Sequence, residues 1–225
     1  MDLLPLPTTT KLKVDHIHVP SFIDFLEKRS GHPLPGKVAQ MEMAPQTNVR
    51  ERLHIPPGAR HNGVLILLHE ISDRFAALYT LRSDSVNDHS GQICFPGGGS
   101  EPHETLELAA IRELREEVGI SLDPGEVLLG LTPLYVPPSN NVIHPYIAYR
   151  RNLPDLVLQH SEVSEAFPLH LDNLADSKNL KVEDWQISNS TIKVPYWKIH
   201  RVPLWGATAM ITNELVHLYK EFTGH

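Results

Sequence analysis

A chain of 225 residues with 41% hydrophobic and 21% charged residues has apolar material for one core and lacks the composition of a disordered protein. Its net charge of −7, with no basic run, argues against nucleic acid as a partner; a phosphorylated ligand would need placed arginines or a divalent cation to neutralise it. The single cysteine, Cys94, excludes an internal disulfide and a cysteine-based zinc site and suits a reducing compartment.

The opening residues, MDLLPLPTTTKLK, lack a continuous apolar stretch, and the longest aliphatic run, Val64 to Leu68, is too short to cross a bilayer. The expectation is a soluble, cytoplasmic protein with no membrane partner. Fourteen histidines are scattered. Asp15-His16-Ile17-His18 alternates and could chelate a cation, but a polar face of an extended segment explains it equally.

Residues 1–60 carry many prolines and read as an N-terminal arm packed on the domain formed by residues 61–225. The arm holds one predicted helix: Ser21 caps it, Phe22, Phe25 and Leu26 recur at helical spacing, and Gly31 closes it. Val64 to Leu68 and Ala76 to Leu81 flank the polar stretch at Ser72, Asp73 and Arg74, the pattern of a β-hairpin. Gln92 to Phe95 predicts a short strand before the breaker cluster Pro96-Gly97-Gly98-Gly99, and a helix follows from about Thr105 to Val118. In the short strand Cys94 reads as a small buried hydrophobe rather than a nucleophile.

Val127 to Tyr135 and Val142 to Tyr149 predict two strands around a loop containing Pro137, Pro138, Ser139, Asn140 and Asn141. That loop reads either as a substrate-side element or as an ordinary proline-bounded turn. Residues 170–200 predict a loop and a short hairpin, and Leu204 to Phe222 a closing helix. Together these elements predict a mixed α/β domain, a sheet with helices on its faces.

Chemistry concentrates in residues 98–120, GGSEPHETLELAAIRELREEVGI. On a helix, Glu113, Glu116 and Glu117 share one face, while Ala110, Ile111, Leu114 and Val118 form a separate apolar stripe. Like charges at these spacings cost a few tenths of a kcal/mol per pair unless something compensates them. A solvated face paired with Arg112 and Arg115 would do so. So would Mg²⁺ or Mn²⁺, hard ions that bridge carboxylates to phosphates.

The register decides between these. The run matches G-x5-E-x7-R-E-U-x-E-E-x-G-U, with U aliphatic, at Gly98, Glu104, Arg112, Glu113, Leu114, Glu116, Glu117, Gly119 and Ile120, and so resembles the Nudix hydrolases. The resemblance implies an α/β/α sandwich with a mixed sheet, and hydrolysis of a nucleoside diphosphate linked to another moiety. It also implies that Glu113, Glu116 and Glu117 hold the metal, joined by a backbone carbonyl near Gly97. Arg112 then orients the carboxylates, and Glu104 acts from the preceding loop through hydrogen bonds or water. The general base is a motif glutamate or a carboxylate elsewhere in the chain.

A second stretch narrows the substrate. Leu78-Tyr79-Thr80-Leu81-Arg82-Ser83, then Gly91 and Phe95-Pro96-Gly97-Gly98, resembles L-L-T-x-R-S-x3-R-x3-G-x3-F-P-G-G of the coenzyme A pyrophosphatase branch. Tyr79 replaces a leucine and Asn87 replaces the second arginine. The resemblance implies coenzyme A as substrate, with Arg82 or His89 at the 3′-phosphate and Gly97 and Gly98 lining the phosphate loop. Trp205-Gly206-Ala207-Thr208-Ala209 resembles a C-terminal feature of that branch, or else is a helix start packed on the core. Two alternatives stay open: a Nudix enzyme for ADP-ribose or NADH, and a Nudix-fold binding module without catalysis, against which the retained carboxylates argue. A homodimer is compatible with the sequence.

Overall fold

The structure, a computed structural model, describes residues 21–46, 54–84, 90–187 and 189–224. The Asp15–His18 segment, Asn87 and His89 lie outside these residues.

Chain order begins with helices α1 (Phe22–Arg29) and α2 (Gly36–Glu42). Ser21 starts α1 as expected: its hydroxyl accepts from the Asp24 N–H at 3.2 Å while the Asp24 carboxylate accepts from the Ser21 N–H at 2.8 Å, a reciprocal cap. Strands β1 (Arg60–Ile71) and β2 (Arg74–Arg82) form the predicted hairpin, longer than its apolar cores, because β1 and β2 continue to pair out to a tight turn at Ser72 and Asp73. Both turn residues have positive φ, 51° and 59°, the twist that suits a two-residue hairpin loop. The short strands β3 (Ile93–Cys94) and β4 (Gly97–Gly99) follow, then helix α3 (Leu106–Val118).

Beyond α3 come β5 (Val127–Gly130), β6 (Leu134–Val136), β7 (Asn141–Tyr149), β8 (Val163–His170), helix α4 (Leu171–Ala175), the hairpin β9 (Leu180–Ile187) and β10 (Ser190–Trp197), the short β11 (Leu204–Trp205), and helix α5 (Gly206–Thr223). The main sheet is eight-stranded and mixed: the path β3-β2-β1-β7-β5 carries β4 on β1, β6 on β7 and β8 on β2. β1 and β7 are its parallel pair; β9, β10 and β11 form a separate antiparallel sheet.

Period-two alternation splits the core between the two sheet faces. On one face Leu65, Leu67 and Leu78 bury the stripe Ala110, Ile111, Leu114 and Val118 of α3. On the other, Ile66, Leu68, Ala77 and Tyr79 pack with α5 and with Phe22 and Leu26 of α1. The result is the α/β/α layering expected.

Four expectations change. The arm contains a second helix, α2, held by Glu214 of α5, which accepts from the Gly36 N–H at 3.2 Å and from Gln40 at 2.8 Å. The predicted strand Val127 to Tyr135 is two, β5 and β6, because Leu131-Thr132-Pro133 leaves the ladder and Thr132 turns its N–H and hydroxyl to Glu214. The glycine cluster is also a strand: Gly97, Gly98 and Gly99 pair antiparallel with Val64, Gly63 and Asn62. Finally, the hairpin in residues 170–200 is eight residues a side and is preceded by β8 and α4.

Candidate active site

Helix α3 carries the acidic face, and its entry is fixed by Thr105, whose hydroxyl accepts from the Leu108 N–H at 3.2 Å. Because Leu114 and Val118 are fully buried on the sheet, the helix cannot rotate, and Glu113 and Glu117 are turned toward β4. At Gly97 and Gly98 there is no room for a side chain. A Cβ on Gly98 would lie 2.3 Å from the Glu113 carboxylate, and one on Gly97 would lie 2.3 Å from the Gly63 carbonyl. The glycines let two carboxylates and a strand backbone share one small volume.

Arg112 organises the rest. Its Nε donates to Glu104 at 3.1 Å, Nη1 to Glu113 at 2.8 Å and Glu116 at 3.0 Å, and Nη2 to Glu104 at 3.2 Å and the Gly99 carbonyl at 2.9 Å. The fork of a guanidinium is what allows one cation to hold three carboxylates. Glu104 also accepts from the Glu101 N–H at 2.9 Å, so its loop is tied at both ends; its carboxyl is held below the usual range chiefly by Arg112. Glu104 therefore enters the site as an oriented anion. For Glu113, burial outweighs Arg112 and moves its pKa upward.

Glu117 is buried more deeply than its place on an acidic helix face suggests: it is 3% exposed. One carboxylate oxygen accepts from the Gly97 N–H at 3.4 Å, and Oε2 is buried with no hydrogen-bond partner. Burial, aided by Glu113 and Glu162, pushes its carboxyl up to about 7 against the opposing pull of Gly97 and Arg82. Glu116 lies at the open edge, half-exposed.

Arg82 ends β2, where the pairing with β8 shifts register. Its charge is felt by both Glu117 and Cys94, and its Nε is buried without a partner among the described residues. Cys94 itself is no nucleophile, as expected: burial pushes its thiol up to about 11, and the Thr80 hydroxyl lies 3.2 Å from its sulfur. The sequence reading passed over Glu162. It lies in the loop before β8, where its carbonyl accepts from the Ser83 N–H at 2.8 Å, and its charge raises the pKa of both Glu113 and Glu117.

No three histidine, cysteine, aspartate or glutamate side chains already converge as a metal cage among the described residues. The donor set still fits a hard divalent cation. Glu117 presents a buried oxygen that nothing satisfies, Glu113 lies one turn away, and both face a strand whose bare backbone leaves space.

The proline loop is a turn: Asn140 is left-handed, its carbonyl accepts from the Arg60 N–H at 3.0 Å, and the Tyr135 hydroxyl donates to its side chain at 3.1 Å. Trp205 to Ala209 is a helix start packed on the core, where the Thr208 hydroxyl donates to the Ile93 carbonyl at 2.9 Å. No helix among the described residues is long and apolar enough to cross a membrane.

A mixed sheet between two helical layers, with a glycine strand laid against an acidic helix, defines a Nudix-type domain. The NUDIX domain family model matches residues 59–188, and the chain belongs to the Nudix family. It is 35% identical over 122 residues to a peroxisomal coenzyme A diphosphatase, ndx-8, of Caenorhabditis elegans, covering 53% of this chain and 52% of that protein. It is 33% identical over 162 residues to the mitochondrial coenzyme A diphosphatase NUDT8 of Homo sapiens, covering 69% of this chain and 67% of that protein. The chain thus spans about half the length of the worm relative, and likewise 54% of a probable nudix hydrolase of Schizosaccharomyces pombe. Among solved structures, a MutT/nudix family protein from Enterococcus faecalis superposes with a TM-score of 0.51 at 15% identity, covering 75% of this chain and 68% of that one, a likeness of fold.

Proposed function

We propose that the chain hydrolyses the pyrophosphate linkage of coenzyme A or its derivatives, releasing 3′,5′-ADP and 4′-phosphopantetheine or its acyl form. The observation that carries this reading is the Leu78 to Gly98 stretch: it runs through β2, β3 and β4, so Arg82 at its start acts on Glu117 of the acidic helix at its end. Arg82 thus exerts its charge on the acidic helix, which supports reading the two sequence motifs as parts of one site. Two relatives named as coenzyme A diphosphatases support the substrate.

Glu113, Glu116 and Glu117, with the backbone at Gly97, would hold Mg²⁺ or Mn²⁺. A divalent ion there supplies Lewis acidity toward a phosphoryl oxygen and a lowered pKa for water. The protein's own part is positional and electrostatic. Arg112 holds Glu113 and Glu116 in place before substrate arrives, which limits the reorganisation needed on binding. Glu104, held anionic by Arg112, is a poor proton acceptor and serves to orient the loop. The Arg82 guanidinium is suited to a substrate phosphate in a chain of net negative charge.

The test is turnover with Mg²⁺ and Mn²⁺ across coenzyme A, acetyl coenzyme A, dephospho-coenzyme A, ADP-ribose and NADH. Preferred cleavage of coenzyme A to 3′,5′-ADP supports the reading; equal or faster turnover of ADP-ribose overturns the substrate and leaves the family chemistry standing.

A further inference from the structure

His61 of β1 and His144 of β7 form a pair away from the acidic face. The two strands run parallel, in a register that sets His144 beside Gly63 and His61 two pairs earlier beside Val142. Residues 61 and 63 share a face, so both imidazoles stand on the α3 side of the sheet, next to a position with no side chain. Gly63 must stay bare: a Cβ there would lie 1.9 Å from the Leu106 carbonyl at the start of α3. The space beside it is taken by the two rings, whose centroids are 5.2 Å apart. His61 Nδ1 lies 2.9 Å from His144 Nε2.

We propose that His61 and His144 form a two-histidine site for a borderline divalent cation of the Zn²⁺, Ni²⁺ or Cu²⁺ class, separate from the acidic face. Two imidazole nitrogens on a tetrahedral ion, with bonds of about 2.0–2.1 Å, stand about 3.3 Å apart, so the pair needs to open by only about 0.4 Å. At present one ring donates its N–H into the lone pair of the other. For both lone pairs to face a cation, the donating ring shifts that proton to its outer nitrogen through solvent, with no net proton release. Burial and the neighbouring His61 hold His144 below the usual histidine range, which keeps its lone pair available at neutral pH. His61 is exposed and His144 only half-buried, so water can complete the coordination and the ion can enter from solvent. Imidazole selects these ions over Mg²⁺, which prefers carboxylate and water, so the two sites divide cations by ligand type.

The experiment compares the full chain with its His61→Asn and His144→Asn variants by calorimetric titration with Zn²⁺ and by Cu²⁺ electron paramagnetic resonance. Expected is a Zn²⁺ site in the parent whose affinity falls by about tenfold or more in each variant, because one imidazole is lost, any binding at the acidic face or at Asp15–His18 being common to parent and variants. The Cu²⁺ spectrum of the parent should show two-nitrogen splitting and that of each variant one. Mg²⁺-supported turnover should be unchanged in both. His61 is exposed, so its variant tests the site even if the His144 variant folds poorly; melting curves report that directly. Equal Zn²⁺ affinity in the parent and the folded His61→Asn variant, or a single-nitrogen Cu²⁺ spectrum in the parent, overturns the proposal.

Discussion

Glu117 sets one carboxylate oxygen 3.4 Å from the backbone N–H of Gly97 and leaves the other buried with no partner. An acid so placed disfavours its own charge. Its pKa rises from 4.5 to about 7, so between those values the folded chain holds a proton that the unfolded chain releases. The contribution of Glu117 to metal-free stability is therefore fully present below pH 4.5 and is lost as pH rises through 7, by on the order of 3 kcal/mol. Glu117→Gln removes this loss. At pH 8 without metal the variant should melt above the parent, and at pH 4 the two should coincide. Mg²⁺ should stabilise the parent and scarcely affect the variant, since an ion that binds only the folded site stabilises by mass action. Turnover should fall by orders of magnitude. Parallel pH profiles of melting for the two proteins would remove Glu117 from this role.

Among the described residues, Arg112 is the one side chain that hydrogen-bonds to Glu104, Glu113, Glu116 and the Gly99 carbonyl together. Lysine keeps the charge but has a single nitrogen, so it can serve only part of that set. Arg112→Lys should lower kcat by about 10- to 100-fold, as loss of a partner that orients ligands does. Mg²⁺ affinity, read from the metal dependence of turnover, should weaken together with kcat. A variant with unchanged metal dependence would make Arg112 a scaffold for the loop alone.

Much of this arrangement was legible because local chemistry and the global fold agree. Ser21 and Thr105 announce helix starts, Ser72-Asp73 a hairpin turn, and the seven-residue identity pattern places Arg112 among its carboxylates. Features that depend on long-range pairing were not legible. Strand β8 contains Pro168, which reads as a breaker; it is tolerated because β8 pairs on one side only, with β2. Glu162 precedes that strand and reaches the site only through the pairing, so nothing local marks it. The burial of Glu117 was missed for a related reason. Helical periodicity puts it on the acidic face, but the glycine strand β4, whose pairing with β1 periodicity does not show, closes over that face.

Arg82 offers a test of substrate recognition that spares the metal ligands. Its guanidinium borders Glu117 and Cys94, and its Nε is buried without a partner among the described residues. A bidentate contact to phosphate would use donors that lysine lacks. Arg82→Lys should therefore raise KM for coenzyme A about tenfold with a smaller change in kcat, the cost of one charged hydrogen bond being about 1.5–3 kcal/mol at most. Dephospho-coenzyme A separates the sites of contact: if Arg82 reads the 3′-phosphate, parent and variant should handle that substrate alike. An unchanged KM for coenzyme A would assign Arg82 to the fold.

The last prediction concerns Glu214, a carboxylate with no solvent exposure in the middle of α5. It accepts from the Gly36 N–H at 3.2 Å, Gln40 Nε2 at 2.8 Å, the Thr132 N–H at 3.2 Å and the Thr132 hydroxyl at 2.7 Å. One buried carboxyl thus ties α2 and the β5–β6 connection to the same helix. Burial raises its pKa against the opposing pull of the surrounding donors. Glu214→Ala leaves those donors buried and unsatisfied and should cost about 3–5 kcal/mol in denaturant unfolding. Glu214→Gln keeps one acceptor but sets an amide N–H against donors, and should cost about half as much. Thr132→Val removes one donor for about 1 kcal/mol, and combined with Glu214→Ala its effect should vanish, because the two act through one contact. Hydrogen exchange should show the loss of protection first in α2, which reaches α5 through Gly36 and Gln40. Additive costs for Thr132→Val and Glu214→Ala, or unchanged protection of α2, would mean that apolar packing, not this carboxylate, holds the second helix in place.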